Sequence, residues 1–154
     1  WYNNADCDID LFIESALKTL EIDAEYYVTS HHKGTVNRKE YEQKLREFLN
    51  VIERREEKLI NAVKRGVSPK DIIYQEVFYY KETHAKNPFS LQAETLGIAK
   101  HLSHLAKHDK TWEEYYAEYI QVHSILKDYV HYHSEPLSSD PHPLKTNSYS
   151  YKTN

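Results

Sequence analysis

A chain of 154 residues, 40% hydrophobic and 29% charged, has the size and make-up of one globular domain, which excludes a disordered segment. Its 20 Lys and Arg against 24 Asp and Glu leave a formal charge of -4, so no general electrostatic drive toward nucleic acid or an anionic membrane exists. The single cysteine, Cys7, excludes an intrachain disulfide, and no stretch has the length of a transmembrane helix.

Only 3 Gly and 5 Pro interrupt the chain, which favours long helices over a sandwich or barrel. The expected fold is an all-α antiparallel bundle of about five helices in residues 1–133, followed by an irregular tail. The first predicted helix is capped by Asp6 or Asp8 and runs to about residue 30. A turn follows in "HHKGT", where Gly34 is free to take a positive φ. Asn37, with Glu40 three residues on, opens the second predicted helix in the manner of a capping box. That helix ends at "KRG", with Gly66 just past its end. "SPKD" opens the third, with Ser68 as cap and Pro69 in the first turn. Its body, "IIYQEVFYY", has the β-branched and aromatic character of a strand. The SPKD start and the lack of a partner strand favour helix. "NPFS" opens the fourth predicted helix at Asn87 or Ser90. Thr111 and Glu114 open the fifth. From Ser134 to residue 154 the chain is rich in Ser, Pro and Asn and reads as a flexible tail.

Apolar spacing supports these helices. Ile9, Ile13, Ala16, Leu17, Leu20, Ala24 and Tyr27 share one stripe. Leu45, Phe48, Leu49, Ile52, Leu59, Ile60 and Val63 share another. Tyr115, Tyr116, Tyr119, Val122 and Leu126 form the stripe of the last.

Three histidines in "HLSHLAKH" pose the main functional question. On a helical wheel His101, His104 and His108 fall with Glu94 within about 80° of one another, beside the apolar stripe of their helix. Imidazoles one turn apart can reach one ion. Glu56, at the centre of the second helix's stripe, and His123, in the last, complete a candidate histidine–carboxylate set for zinc or another transition metal: Glu56, Glu94, His101, His104, His108 and His123. Against it, no Glu-x-x-His motif of the kind that holds di-metal carboxylate bundles occurs. In an antiparallel hairpin His108 and His123 also lie at levels roughly 15 Å or more apart. The expected role of these histidines is therefore to hydrogen-bond at the core edge, without a cofactor.

No nucleophile elbow, phosphate loop or His-Glu-x-x-His motif is present, so no catalytic residue is assigned. With 14 Tyr, the chain is rich in a residue that suits protein and peptide interfaces. Tyr26, Tyr79 and Tyr132 fall outside the apolar stripes and are the candidate partner-binding residues. The chain opens at Trp1 and holds no Met, which fits the mature part of an exported or membrane-anchored protein in an extracytoplasmic location. The expected function is a non-enzymatic helical interaction or ligand-binding module with a protein or peptide partner and no nucleic acid. The alternative is a metal-binding helical bundle.

Overall fold

The computed structural model describes residues 7–29, 34–79 and 87–126, and these are mostly helical. Helix α1 (Ile9–Lys18) is capped by Asp8, whose carboxylate accepts from the Leu11 amide at 3.0 Å. It tightens into a 3₁₀ turn at Thr19–Glu21 and stops well short of residue 30. The remainder of the expected first helix is instead an antiparallel hairpin, β1 (Tyr26–Thr29) with β2 (Gly34–Asn37). Tyr27 faces Val36 and Val28 faces Thr35 across it. The correction has a local cause, since "YYVT" is the aromatic and β-branched composition that fits a pleated surface. Tertiary contacts reinforce it. The Tyr27 ring stacks on Tyr41 at 4.2 Å, and the Arg38 guanidinium donates to the carbonyls of Leu20 and Ile22. Gly34 opens β2 at φ 81°, as its place in the turn sequence implied.

Helix α2 (Arg38–Lys64) starts where Asn37 accepts from the Glu40 amide at 2.9 Å. It ends in a Schellman motif. Gly66, at φ 82°, donates to Val63 and the Val67 amide donates to Ala62. The third predicted helix does not form in the described residues. Ser68 does accept from the Asp71 amide, but only a single 3₁₀ turn follows, at Ile72–Tyr74. The chain then passes through a positive φ of 54° at Glu76 and continues irregularly through Tyr79.

Helix α3 (Pro88–His108) is capped by Asn87, with Pro88 in its first turn. Asp109, rather than Thr111, caps the next turn, accepting from the Thr111 amide at 2.9 Å. Helix α4 (Glu113–Val122) follows, then a 3₁₀ turn at Ser124–Leu126. The expected five helices thus become four α-helices and a hairpin among the described residues. The tail and its boundary at residue 134 lie outside them. No helix of the described residues is long and apolar enough to cross a membrane.

The main core joins α2, α3, α4 and the irregular segment through Leu59, Ala62, Ile72, Ile98, Leu102, Tyr119 and Leu126. A smaller core seats α1 on α2 through Ile9 and Ile52, with Phe12, Ile13 and Leu49 around them. Phe78 packs against both. Burying each such aliphatic side chain contributes about 1.5–3 kcal/mol. Several tyrosines of the described residues join this packing. Tyr119 is fully buried and donates to the Thr95 carbonyl, and Tyr115 donates to that of Val67.

α3 is shaped to receive the irregular segment. A Cβ built on Gly97 would lie 2.7 Å from the Phe78 ring. That ring is flanked by Arg55, whose guanidinium lies 4.3 Å from its centroid, and by the His101 imidazole at 5.4 Å. Helix propensity alone favours Ala over Gly by about 1 kcal/mol. Gly97→Ala is nevertheless expected to lower stability by about 1–2 kcal/mol in urea unfolding, because the hemmed-in ring cannot retreat. Combining it with Phe78→Leu should reduce the penalty of Gly97→Ala. If Gly97→Ala stabilises the protein, the ring is not held as described.

Candidate functional site

The candidate residues fall into three separate places. Glu94 is fully buried, and its carboxylate faces the backbone. It accepts from the amides of Val77, Phe78 and Tyr79 at 2.8 to 3.2 Å. Successive amides pointing at one anion form a nest, and here a side chain of the protein fills it. This accounts for the absence of an α-helix at 77–79: the amides of these residues bond a carboxylate on α3 instead of carbonyls of their own segment. It also places Tyr79, whose amide is one of the three. His123 lies elsewhere, against the Tyr119 ring at 4.4 Å, with Nε2 3.0 Å from the Pro69 carbonyl. Tyr26 is 59% exposed on β1. Tyr132 lies outside the described residues.

The other four residues meet. Glu56 on α2 lies opposite His101 and His104 on α3. Its Oε1 is 3.1 Å from His101 Nδ1 and 2.7 Å from His104 Nδ1. The far nitrogen of His104, Nε2, is 3.0 Å from Oδ1 of Asp10 on α1. His108 Nε2 lies 2.8 Å from the same oxygen. Imidazoles and carboxylates therefore alternate along one chain: His101, Glu56, His104, Asp10, His108. Lys107 closes its outer end on Asp10 Oδ2 and sits 3.8 Å from Asp8. The chain runs from full burial at His101 to 58% side-chain exposure at His108.

Asp10 is not among the residues that the sequence marks as candidates. It lies 98 residues from His108, and nothing in its local spacing singles it out. The fold alone brings it there, because Ile9 seats the first turn of α1 in the smaller core.

The electrostatics follow from this geometry. Burial pushes the Glu56 carboxyl up, but the hydrogen bonds from His101 and His104 outweigh it and hold the group at about 2. Burial likewise opposes ionisation of Asp10, and the bonds from Lys107 and His108 prevail, again leaving it at about 2. His101 is lowered by burial, despite its bond to Glu56, and donates as a neutral imidazole. His104 is raised, first by its hydrogen bond to Glu56 and also by Asp10. A carboxylate at each nitrogen favours its protonated form, in which both nitrogens donate.

Asp10, His104 and His108 also form a group whose donor atoms could hold a metal ion. One ligand atom from each lies within 4.8 Å of the others, and this is the group among the described residues that does so. Nε2 of each histidine converges on Asp10 Oδ1. Tetrahedral zinc with bonds of about 2.0 to 2.2 Å needs ligand atoms about 3.3 Å apart. The observed contacts of 3.0 and 2.8 Å to Asp10 open to that spacing by side-chain rotation of a few tenths of an ångström. Comparison with protein-family models, with curated proteins and with solved structures finds no match.

The network's titration is testable in chelator-treated protein. The imidazole resonances of His104 should titrate above 6.5 and those of His101 below it, with Glu56→Gln lowering the His104 midpoint. Unfolded Asp and Glu bind protons near 4, whereas folded Asp10 and Glu56 resist down to about 2. The unfolded state then binds more protons, so stability should fall as pH drops from about 5 toward 2. His101 acts in the same direction from 6.5 downward. The raised His104 contributes below 6.5 and its contribution is lost as pH rises through its folded value. Coincident midpoints for His101 and His104 would contradict the chain of contacts.

Proposed function

We propose that this protein is a metal-binding helical module whose site is Asp10, His104 and His108. The observation that carries the reading is the convergence of His104 Nε2, His108 Nε2 and Asp10 Oδ1 from two helices. A supporting feature is the state of His104. Its other nitrogen, Nδ1, faces Glu56 at 2.7 Å. A histidine ligand commonly donates its second N–H to a carboxylate, which fixes the tautomer and raises its basicity. Glu56 fills that role and is in turn held by His101. The donor set of two imidazoles and one carboxylate suits zinc and neighbouring transition metals better than calcium or magnesium, which take oxygen ligands. Three protein ligands beside an exposed His108 leave a coordination position toward solvent.

The site has fewer members than the set chosen on sequence grounds. Glu94 is committed to the amides of 77–79 and His123 to the Pro69 carbonyl. Glu56 and His101 support the ligands and do not face the ion.

Cobalt(II) is the direct probe, since its visible absorption reports both stoichiometry and geometry. One equivalent should bind and be displaced by zinc. His108→Ala and His104→Ala should each abolish the spectrum. Glu56→Gln should weaken affinity about 10–100-fold while leaving the ligand set intact. His123→Gln should leave binding unchanged. Absence of stoichiometric binding, or binding that survives His104→Ala and His108→Ala together, would refute this reading.

A further inference from the structure

We infer that metal bound at Asp10, His104 and His108 fastens α1 to α3, so that the position of the N-terminal helix is what the site controls. This rests on the metal reading above and adds its consequence. The ligands come from two elements: Asp10 belongs to α1, and both histidines belong to α3.

Among the described residues, the contacts of α1 with the two long helices are of two unequal kinds. One is apolar and runs to α2, through Ile9 on Ile52 and the tilted pair Phe12 and Phe48 at 5.8 Å. The other is polar and runs to α3. It consists of the Asp10 bonds to His104, Lys107 and His108, together with the longer Asp8–Lys107 pair. Ile9 is the buried residue of α1, while Leu11 and Leu17 on the same helix are exposed. A ten-residue helix with so little buried surface is marginal by itself. Ion pairs through half-exposed side chains such as Lys107 and His108 add little.

A metal ion changes the strength of the second attachment without changing its members. Its bonds to Asp10 Oδ1 and to both Nε2 atoms replace the two contacts that this oxygen makes with His104 and His108. Opening α1 away from α3 then removes a ligand from the ion, so the free energy of metal binding opposes that opening. The Glu56 bonds to His101 and His104 connect α2 with α3 and do not involve α1. They keep the two histidines oriented while α1 is open.

Hydrogen exchange read by mass spectrometry tests this on the whole chain, with zinc alone as the added ligand and calorimetry on the same samples. Without metal, amides of residues 12–18 should exchange at least tenfold faster than those of 98–105, because α1 opens locally. Saturating zinc should slow the 12–18 amides at least tenfold and narrow that gap. Asp10→Asn should leave α1 in its fast-exchanging state with or without zinc. Three results are distinguishable. If calorimetry shows no stoichiometric zinc binding, the metal reading fails and the fastening fails with it. If zinc binds but exchange in α1 is unchanged, the metal reading stands and the fastening is overturned. Equal exchange of α1 and α3 in metal-free protein also overturns it, since α1 would then have no local opening to suppress.

Discussion

A carboxylate and an imidazole, Glu94 and His101, are fully buried two turns apart on one face of α3. Buried polar groups without partners cost far more than their hydrogen bonds return, so the neighbouring chain has to meet them. Glu94 is met by three backbone amides and His101 by Glu56. Gly97 lies between the two on the same face and leaves the room that the Phe78 ring occupies. Phe78 therefore reads all three positions: its amide bonds Glu94, its ring lies over Gly97, and the ring's edge meets His101. Much of the molecule's irregularity traces to this one strip of α3.

The same constraint continues outward into the candidate site. Glu56 satisfies buried His101 and is thereby placed to orient His104. His104 then presents its second nitrogen to Asp10, which His108 and Lys107 share. Structural necessity at the buried end thus places the donor atoms of the proposed metal site at the exposed end. Two arrangements compete for the outer atoms. In one a proton sits on His104 Nε2 and bonds Asp10. In the other a metal takes the proton's place, as ligand histidines must be deprotonated to bind. Both would use the same three residues, so only small side-chain rotations would separate one from the other.

The tyrosines of the described residues divide between the core edge and the surface. An excess of Tyr suggests an interface, yet Tyr119, Tyr115, Tyr27 and Tyr41 spend their hydroxyls on bonds within the fold. Each combines a large apolar ring with a polar tip that reaches a carbonyl or hydroxyl at the core edge. Tyr26 on β1 and Tyr74 in the 3₁₀ turn remain outward, at 59% and 63% exposure, and scattered exposed aromatics are ordinary for a protein surface.

What the sequence by itself determined is local. Asp8, Asn37 and Asn87 cap helices where they stand, and Gly66 ends α2, because caps depend on residues three or four apart. The histidine stripe was likewise legible, since one helix's spacing places His101, His104 and His108 on one side. The "YYVT" and "IIYQEVFYY" runs carried a true signal against helix that the surrounding helix punctuation masked. What only the tertiary structure decided is every pairing across a long loop. Glu94 captures amides 15 to 17 residues away, Glu56 reaches histidines 45 and 48 residues away, and Asp10 reaches His108 across 98. Periodicity orders side chains around one axis and carries no information about which second axis they meet. The choice of Asp10 over Glu94 and His123 as the histidines' outer partner was therefore made by packing, when Ile9 seated α1 beside α3.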